Sequence, residues 1–474
     1  MVRHLWIGVG LAALAGSCAT KADLPDAPAA YAAAAGATET PDAAAQAPEE
    51  AWIEHFATPE LTGYVAEALK GNPGLQAAGE RARASRERAR ASAGSWLPDL
   101  NISLGTSRTE TPVAGTDDRV RFDQSTSRLS TTWEADLWGR VLDGTRASFA
   151  DSRAANADYD GARLSVAGQT AGAWIDLVQA RQLLALAEED LAQRERALDI
   201  TQRRYESGLL NALSLRTARS QVASARAQRA AQEDALLQAS RRLQFLLGRY
   251  PDGALRTQTE LPVLAPIAAA GAPADLLARR PDVAAAEARL ESSGLRASQA
   301  RKALLPRLTL SATASGAGDG LRDITDVDGL ITQVLAGLTA PLFNGGALRA
   351  EARAAQADAR ASASNYVTTA LTAWSEVEGA LSADTAFAVR ETELASAAEE
   401  AREAQLLAER QYASGTATIF ELIDAYTRRI DAERGLIQAR AARASNRVTY
   451  HVALGGGAET GGLAAPMTSR EKDR

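Results

Sequence analysis

Two spacings of apolar and polar residues divide the chain. From Pro112 to Pro251, and again from Pro341 to Pro466, no proline interrupts sequence rich in Ala, Arg, Glu, Gln and Leu. These are good helix formers, and proline is the strongest helix breaker. Elsewhere the period is two. Leu100, Ile102 and Leu104 alternate with Asn101 and Ser103, and Leu308, Leu310, Ala312 and Ala314 with Thr309, Ser311 and Thr313. Leu129, Thr131, Trp133, Ala135 and Leu137 follow one polar loop, at roughly 109–124; Val334, Ala336 and Leu338 follow another, at roughly 316–329. The alternation predicts four strands of about ten residues, arranged as two hairpins.

Each helical stretch is interrupted once, in matching context: Tyr205-Glu206-Ser207-Gly208 and Tyr412-Ala413-Ser414-Gly415. Glycine commonly stops a helix, so Gly208 and Gly415 are the expected hinges of two helix turns. Long helices are expected at 139–206 and 345–413, each about 100 Å at 1.5 Å per residue. Helices at about 73–95 and 211–247 together match one long helix, and are expected to stack end to end beside it. In the last helix Ile419, Ile423, Tyr426, Ile430, Glu433 and Ile437 fall at alternating steps of four and three, a heptad seam broken by one charge.

The stretches are copies. Pro73 recurs as Pro281, Pro98 as Pro306, Trp174 as Trp374, Gly208 as Gly415, and Leu247-Gly248 as Leu454-Gly455. An internal duplication of about 200 residues excludes a solenoid of many short repeats. The expected division is 1–17 signal peptide, 18–50 Ala/Pro-rich tether, 51–250 first repeat, 251–272 connector, 273–456 second repeat and 457–474 tail.

Composition narrows the function. Aromatic residues are only 5% of the chain, while apolar residues, nearly half of them alanine, are 46%. Such a chain packs close helices rather than thick aromatic cores. One cysteine excludes a disulfide framework and a Cys-ligated zinc site. Three scattered histidines (His4, His55, His451), with no nucleophile, base and oxyanion grouping, argue against an enzyme, and no catalytic, cofactor or metal site is expected. A net charge of −7 argues against nucleic acid as a partner. Asp319, Asp323, Asp326 and Asp328 cluster in the second loop, either as a solvated loop or as a divalent-ion or lipopolysaccharide contact.

The N-terminus sets the compartment. Arg3 and His4 precede an apolar run from Leu5 to Ala15, the proportions of a signal-peptide core and too short for a membrane helix. Cys18 follows Ala15-Gly16-Ser17 and resembles a bacterial lipobox cysteine, which would carry a covalent lipid; plain signal cleavage with a free thiol is the alternative. Four strands cannot close a barrel, and an open edge in lipid leaves backbone groups unsatisfied. If the strands enter a membrane, the protein must oligomerise. Trp133 and Trp138 would then suit an interfacial girdle, against ordinary packing at a sheet end.

At this point specific motifs accumulate: Trp52, Phe56 and Pro59-Glu60-Leu61 with Asn72-Pro73, Trp133-Glu134-Ala135-Asp136-Leu137-Trp138-Gly139-Arg140, Asp275 to Val283, and Pro341-Leu342-Phe343-Asn344-Gly345-Gly346. With these motifs the chain resembles the TolC-type outer-membrane factor family, nearest the NodT-like lipoproteins of resistance–nodulation–division efflux systems. The resemblance implies a mainly α, elongated protomer with four strands. It implies a homotrimer forming a twelve-stranded barrel in outer-membrane lipid and an α-helical tunnel through the periplasm. A periplasmic adaptor and an inner-membrane pump are the implied partners. A type I secretion duct and a non-channel periplasmic coiled-coil lipoprotein are the alternatives.

Glu421 and Asp424 lie three apart, on one helix face directed away from the seam. From spacing they are a solvated face, with Asp424 paired to Arg428, or a constriction. The resemblance implies carboxylate rings that narrow the closed tunnel, favour cations and raise some carboxyl pKa values, with Tyr412, Arg428 and Tyr205 as neighbours. The first copy has Ser214 and Thr217 at the matching places. Ala417 stands where the TolC pattern has Arg, and Ser214 where it has Asp.

Overall fold

The computed structural model describes residues 52–456, apart from 54, 55, 57, 113, 116, 118, 256, 259, 265, 266, 268–278 and 319–329. The expected signal peptide, Cys18, the tether, the acidic cluster of the second loop and the C-terminal tail lie outside the described residues.

The first half contains α1 (Pro59–Gly71), α2 (Pro73–Gly94), β1 (Asp99–Pro112), β2 (Arg119–Ala135), α3 (Arg140–Glu206) and α4 (Ala212–Leu246). The second contains α5 (Pro281–Lys302), β3 (Arg307–Gly318), β4 (Ile331–Thr339), α6 (Ala347–Ser414) and α7 (Ile419–Ala453). The long helices α3 and α6 have 67 and 68 residues, so each runs about 100 Å. Helix α1 was not anticipated. Its break from α2 at Asn72 has a local cause: the Asn72 side chain accepts a bond from Leu75 N at 3.0 Å, and Pro73 occupies the first helical position.

Helices α2 and α4 both pack on α3, and their ends meet. Asn72 donates from Nδ2 to Leu246 O at 2.9 Å. Gly248, at φ 74°, lies so close that a Cβ there would sit 2.4 Å from Gly71 O. The second half repeats this joint: Arg280 Nη1 donates to Ala453 O at 2.9 Å, and a Cβ on Gly455 would meet Arg279 O at 2.9 Å. Two short helices stacked beside one long helix therefore make each half. The main core lies beside the first joint, where Trp52, Phe56, Leu61, Trp174, Ile175, Leu177 and Leu243 are buried. Away from it the contacts are thin; the buried apolar positions of α6 are almost all alanine.

The strands form one antiparallel sheet in the order β1-β2-β3-β4. They are longer than expected in the first hairpin, at 14 and 17 residues, so residues 109–112 and 119–124 are strand rather than loop. Apolar alternation ends near Leu104, but the ladder continues because charged pairs replace it. Arg108 pairs with Asp123 at 2.6 Å and Arg121 with Glu110 at 2.7 Å across the strands. The second hairpin follows the expectation more closely, with 12 and 9 residues.

Candidate functional site

The sheet has two chemically distinct faces. The registers place Ile102 beside Leu129, Leu129 beside Ala314, and Leu310 beside Ala336 on one face. The opposite face aligns Ser103, Arg128 and Ser315, and Thr309 with Gly337. Neither face is covered in the protomer: Ile102 on the first is 73% exposed and Leu335 on the second 58%. Apolar outward and polar inward is the pattern of a membrane barrel strand. Trp133 is on the apolar face near the helical end of the sheet and donates from Nε1 to Trp96 O at 2.9 Å. Trp138 donates to Pro306 O at 2.7 Å while remaining about half exposed. Both indoles therefore present their rings with their one polar group satisfied.

At the far end of the long helices, the two turns pack together. Gly208 and Gly415 adopt φ 73° and 84°, the left-handed conformation that ends α3 and α6. Tyr412 is buried, and its hydroxyl lies 2.7 Å from Thr201 Oγ1. Thr201 spends its own proton on Ala197 O at 2.7 Å, so Tyr412 is the donor. Arg204 lies 5.2 Å from the Tyr412 ring centre and donates from Nη2 to Ala413 O at 2.7 Å. Thr201 and Arg204 thus clasp α3 to α6. Neither stands out in the sequence; the only hint is that a buried tyrosine needs a hydroxyl partner. Tyr205, by contrast, is exposed beside the turn.

Beneath the clasp, Tyr412, Ile419, Leu422 and Tyr426 form an apolar cluster with Ala197. The expected seam is buried at Ile419, Tyr426, Ile430 and Glu433; Ile423 is half-buried against the same cluster, and Leu422, outside the seam, is fully buried. The crest of the helix contact runs Ile419, Leu422, Tyr426, Ile430, because α7 packs on both α3 and α6 and so buries a stripe wider than one heptad seam. Burial, aided by nearby Glu409, pushes the Tyr426 hydroxyl well above its usual range. The charge in the seam, Glu433, is neutralised by Arg429 at 2.9 Å and Arg402 at 2.8 Å. Arg429 also reaches Glu189 and Gln193 on α3, both at 3.1 Å, so one buried guanidinium holds α3 and α7 together.

Glu421 and Asp424 are both exposed, as their spacing implies. Each has a local partner. The Glu421 carboxylate accepts from Thr418 N at 2.6 Å and Thr418 Oγ1 at 2.9 Å, closing a capping box at the start of α7. The Thr418 backbone N–H, then its hydroxyl, holds the Glu421 carboxyl below its ordinary range. Within one protomer the shift is therefore opposite to the rise expected from crowded carboxylates. Asp424 accepts from Arg428 Nε at 2.7 Å, and that bond raises the Arg428 pKa. In the first copy Asn211 caps α4, accepting from Ser214 N and Ser214 Oγ, both at 3.0 Å. The two copies thus cap the same turn, one with neutral groups and one with a carboxylate.

The comparisons agree with this geometry. A family described as "Outer membrane efflux protein" matches residues 64–249 and 272–456, once over each copy. The pyoverdine export outer membrane protein OpmQ of Pseudomonas putida is 30% identical over 419 residues, spanning 86% of this chain and 88% of that protein. The outer membrane protein OprJ of Pseudomonas aeruginosa is 29% identical over 416 residues, spanning 86% and 87%. Among solved structures, the outer-membrane channel OprN aligns with a TM-score of 0.78 at 28% identity, covering 88% of this chain and 98% of that one. The outer membrane protein VceC of Vibrio cholerae aligns at 0.77 and 25%, covering 87% and 100%. The fold is that of TolC-like outer-membrane channels, a family of transport channels rather than enzymes. The two copies, the two-faced four-stranded sheet and the two 100 Å helices therefore have one explanation: the chain belongs to the outer membrane efflux protein family and is an exit channel in the outer membrane.

Proposed function

We propose that three copies of this chain form the exit duct of a tripartite efflux system. A periplasmic adaptor and a resistance–nodulation–division pump would supply it with small molecules. The observation that carries the trimer is the sheet itself. Toward its helical end it is apolar on one face and mainly polar on the other, with β1 and β4 as open edges. Open edges are untenable in lipid, and four strands are too few to close. Three sheets joined edge to edge give twelve strands and a polar lumen.

The clasp of Thr201, Arg204 and Tyr412, with Glu421 and Asp424 exposed beside it, is the proposed periplasmic tip. There the three chains would converge and three copies of each carboxylate would face the tunnel. Cys18, lipidated, would hold the N-terminus to the inner leaflet of the outer membrane. No group in this scheme performs chemistry; solutes diffuse once the tip opens. Trp133 and Trp138 would mark the periplasmic edge of the bilayer.

Purified protein in planar bilayers tests the scheme. Wild type should conduct weakly with cation preference, and the Glu421→Ala/Asp424→Ala double variant should conduct more with that preference lost. Absence of current from both would sink the conduit, and an unchanged selectivity would sink the carboxylate ring. Mass spectrometry of the mature N-terminus checks the lipid on Cys18.

A further inference from the structure

All three ladders of the sheet run without a bulge, so each strand keeps one set of side chains on one face throughout. Arg128 belongs to the polar face. In register it lies between Ser103 on β1 and Ser315 on β3, with Ser130 and Thr313 on the next rung toward the helices. Its side chain is exposed and makes no ion pair with any described residue. The charged pairs of this sheet lie elsewhere. Arg108 and Arg121 are paired to Asp123 and Glu110 on the other face, and Arg140 binds Glu134 through two bonds at 3.1 and 2.7 Å. Other charges of the polar face lie toward the helical end. Asp99, opposite Thr132, is four positions along β1 from Ser103, Glu134 is six positions along β2 from Arg128, and Arg307, opposite Thr339, is eight along β3 from Ser315: about 13, 20 and 26 Å at 3.3 Å per residue.

We propose that Arg128 forms an anion-binding site in the lumen of the barrel, taking solutes that carry a carboxylate or phosphate. This rests on the trimeric channel proposed above, in which three copies of Arg128 share one level of the pore. A guanidinium offers a fixed fork of donors that matches both groups, and it stays charged at any working pH. Ser103 and Ser315 flank it with hydroxyls that donate to an anion and bring no competing negative charge. Rings of Arg or Lys are the usual element of anion-selective pores. The duct thus carries opposite signs in series: carboxylates at the tip and guanidinium groups within the membrane. An anionic solute that has passed the tip gains a favourable site there, and a tip made permissive should reveal an anion preference set by Arg128.

The test uses the full-length protein in planar bilayers, with the Glu421→Ala/Asp424→Ala tip as background and citrate as the probe. Reversal potential in a tenfold KCl gradient and block by citrate from the outer side are read for Arg128, Arg128→Lys, Arg128→Gln and Arg128→Glu. With Arg128, millimolar citrate should reduce the current. Arg128→Gln should raise the half-blocking concentration at least tenfold, and Arg128→Glu should abolish block and shift selectivity several-fold toward cations. Arg128→Lys should keep the selectivity but weaken the block. Conducting Arg128→Glu channels with unaltered reversal potential and block would overturn the proposal. Absence of current in every protein would instead refute the channel reading. In that event calorimetric titration of the detergent-solubilised protein with citrate still decides the site: binding lost in Arg128→Gln upholds it, and equal binding overturns it.

Discussion

The two ends of each long helix have been treated differently by the duplication. At the joint between stacked helices the halves remain alike. A glycine in left-handed conformation follows the returning helix in both, and both close on a backbone carbonyl of the neighbouring helix start. At the turns they have diverged. The first carries Asn211 and Ser214, the second Thr418 and Glu421, and the clasp joins Thr201 and Arg204 of one copy to Tyr412 and Ala413 of the other. The joint needs a close backbone approach, so both copies keep its glycine even though Asn72 donates in one and Arg280 in the other. The turn is a surface problem with many solutions, so it is free to acquire unequal charge.

The sharpest way to break this comparison is at the joint. Gly248→Ala places a Cβ against Gly71 O in a strained backbone, at a cost of about 2–5 kcal/mol. Thermal unfolding followed by circular dichroism should show a large fall in Tm. Gly455→Ala should be similar but milder, because its carbonyl is further away. At the turn, Gly208 has nothing within 4 Å of an added Cβ, and Gly208→Ala should cost only about 1–2 kcal/mol for the left-handed backbone. Equal losses at both sites would contradict the distinction.

A smaller effect is expected from the clasp. Tyr412→Phe removes the bond to Thr201 while leaving Thr201 bonded to Ala197 O, for about 1 kcal/mol. If the clasp holds the tip closed, open events in single-channel records should rise about fivefold by the usual conversion of 1.4 kcal/mol per tenfold. A variant that loses stability but not closure would make Tyr412 merely structural.

Smaller still is a pH effect that only the second turn should show. The Glu421 carboxyl is held below its ordinary value by the Thr418 N–H and hydroxyl. The stabilisation from the ionised group is therefore complete above the unfolded pKa of about 4.3 and is lost as pH falls through the lower folded value. Hydrogen exchange at the first turn of α7 should quicken below that range, while the start of α4, capped by Asn211, stays level. Glu421→Gln should remove the difference. The least consequential change is Arg428→Ala, because its pair with Asp424 is solvent-exposed on both sides and screened. Unfolding should barely move, which would leave any change in conductance to the freed carboxylate.

Much of this architecture was legible in the sequence. Proline-free stretches, repeated Tyr-x-Ser-Gly turns and period-two segments determine helix lengths, hinges and a two-faced sheet, because each reflects local backbone chemistry. Spacing also put Glu421 and Asp424 on an exposed face and proposed the Arg428 pair. Tertiary structure decided the rest. The first hairpin extends past its apolar alternation, since Arg108, Glu110, Arg121 and Asp123 find partners only across strands. Leu422 joins Ile423 at the helix contact and is the more deeply buried, since the crest depends on how α7 lies against α3 and α6. Thr201, Arg204 and Arg429 gain meaning only where residues some two hundred positions apart are brought within hydrogen-bonding distance. Among the described residues, only the register sets Ser103 and Ser315 beside Arg128 and keeps the carboxylates of its face, Asp99 and Glu134, toward the helical end. Local periodicity follows from one residue's own backbone and side chain; a partner belongs to the fold.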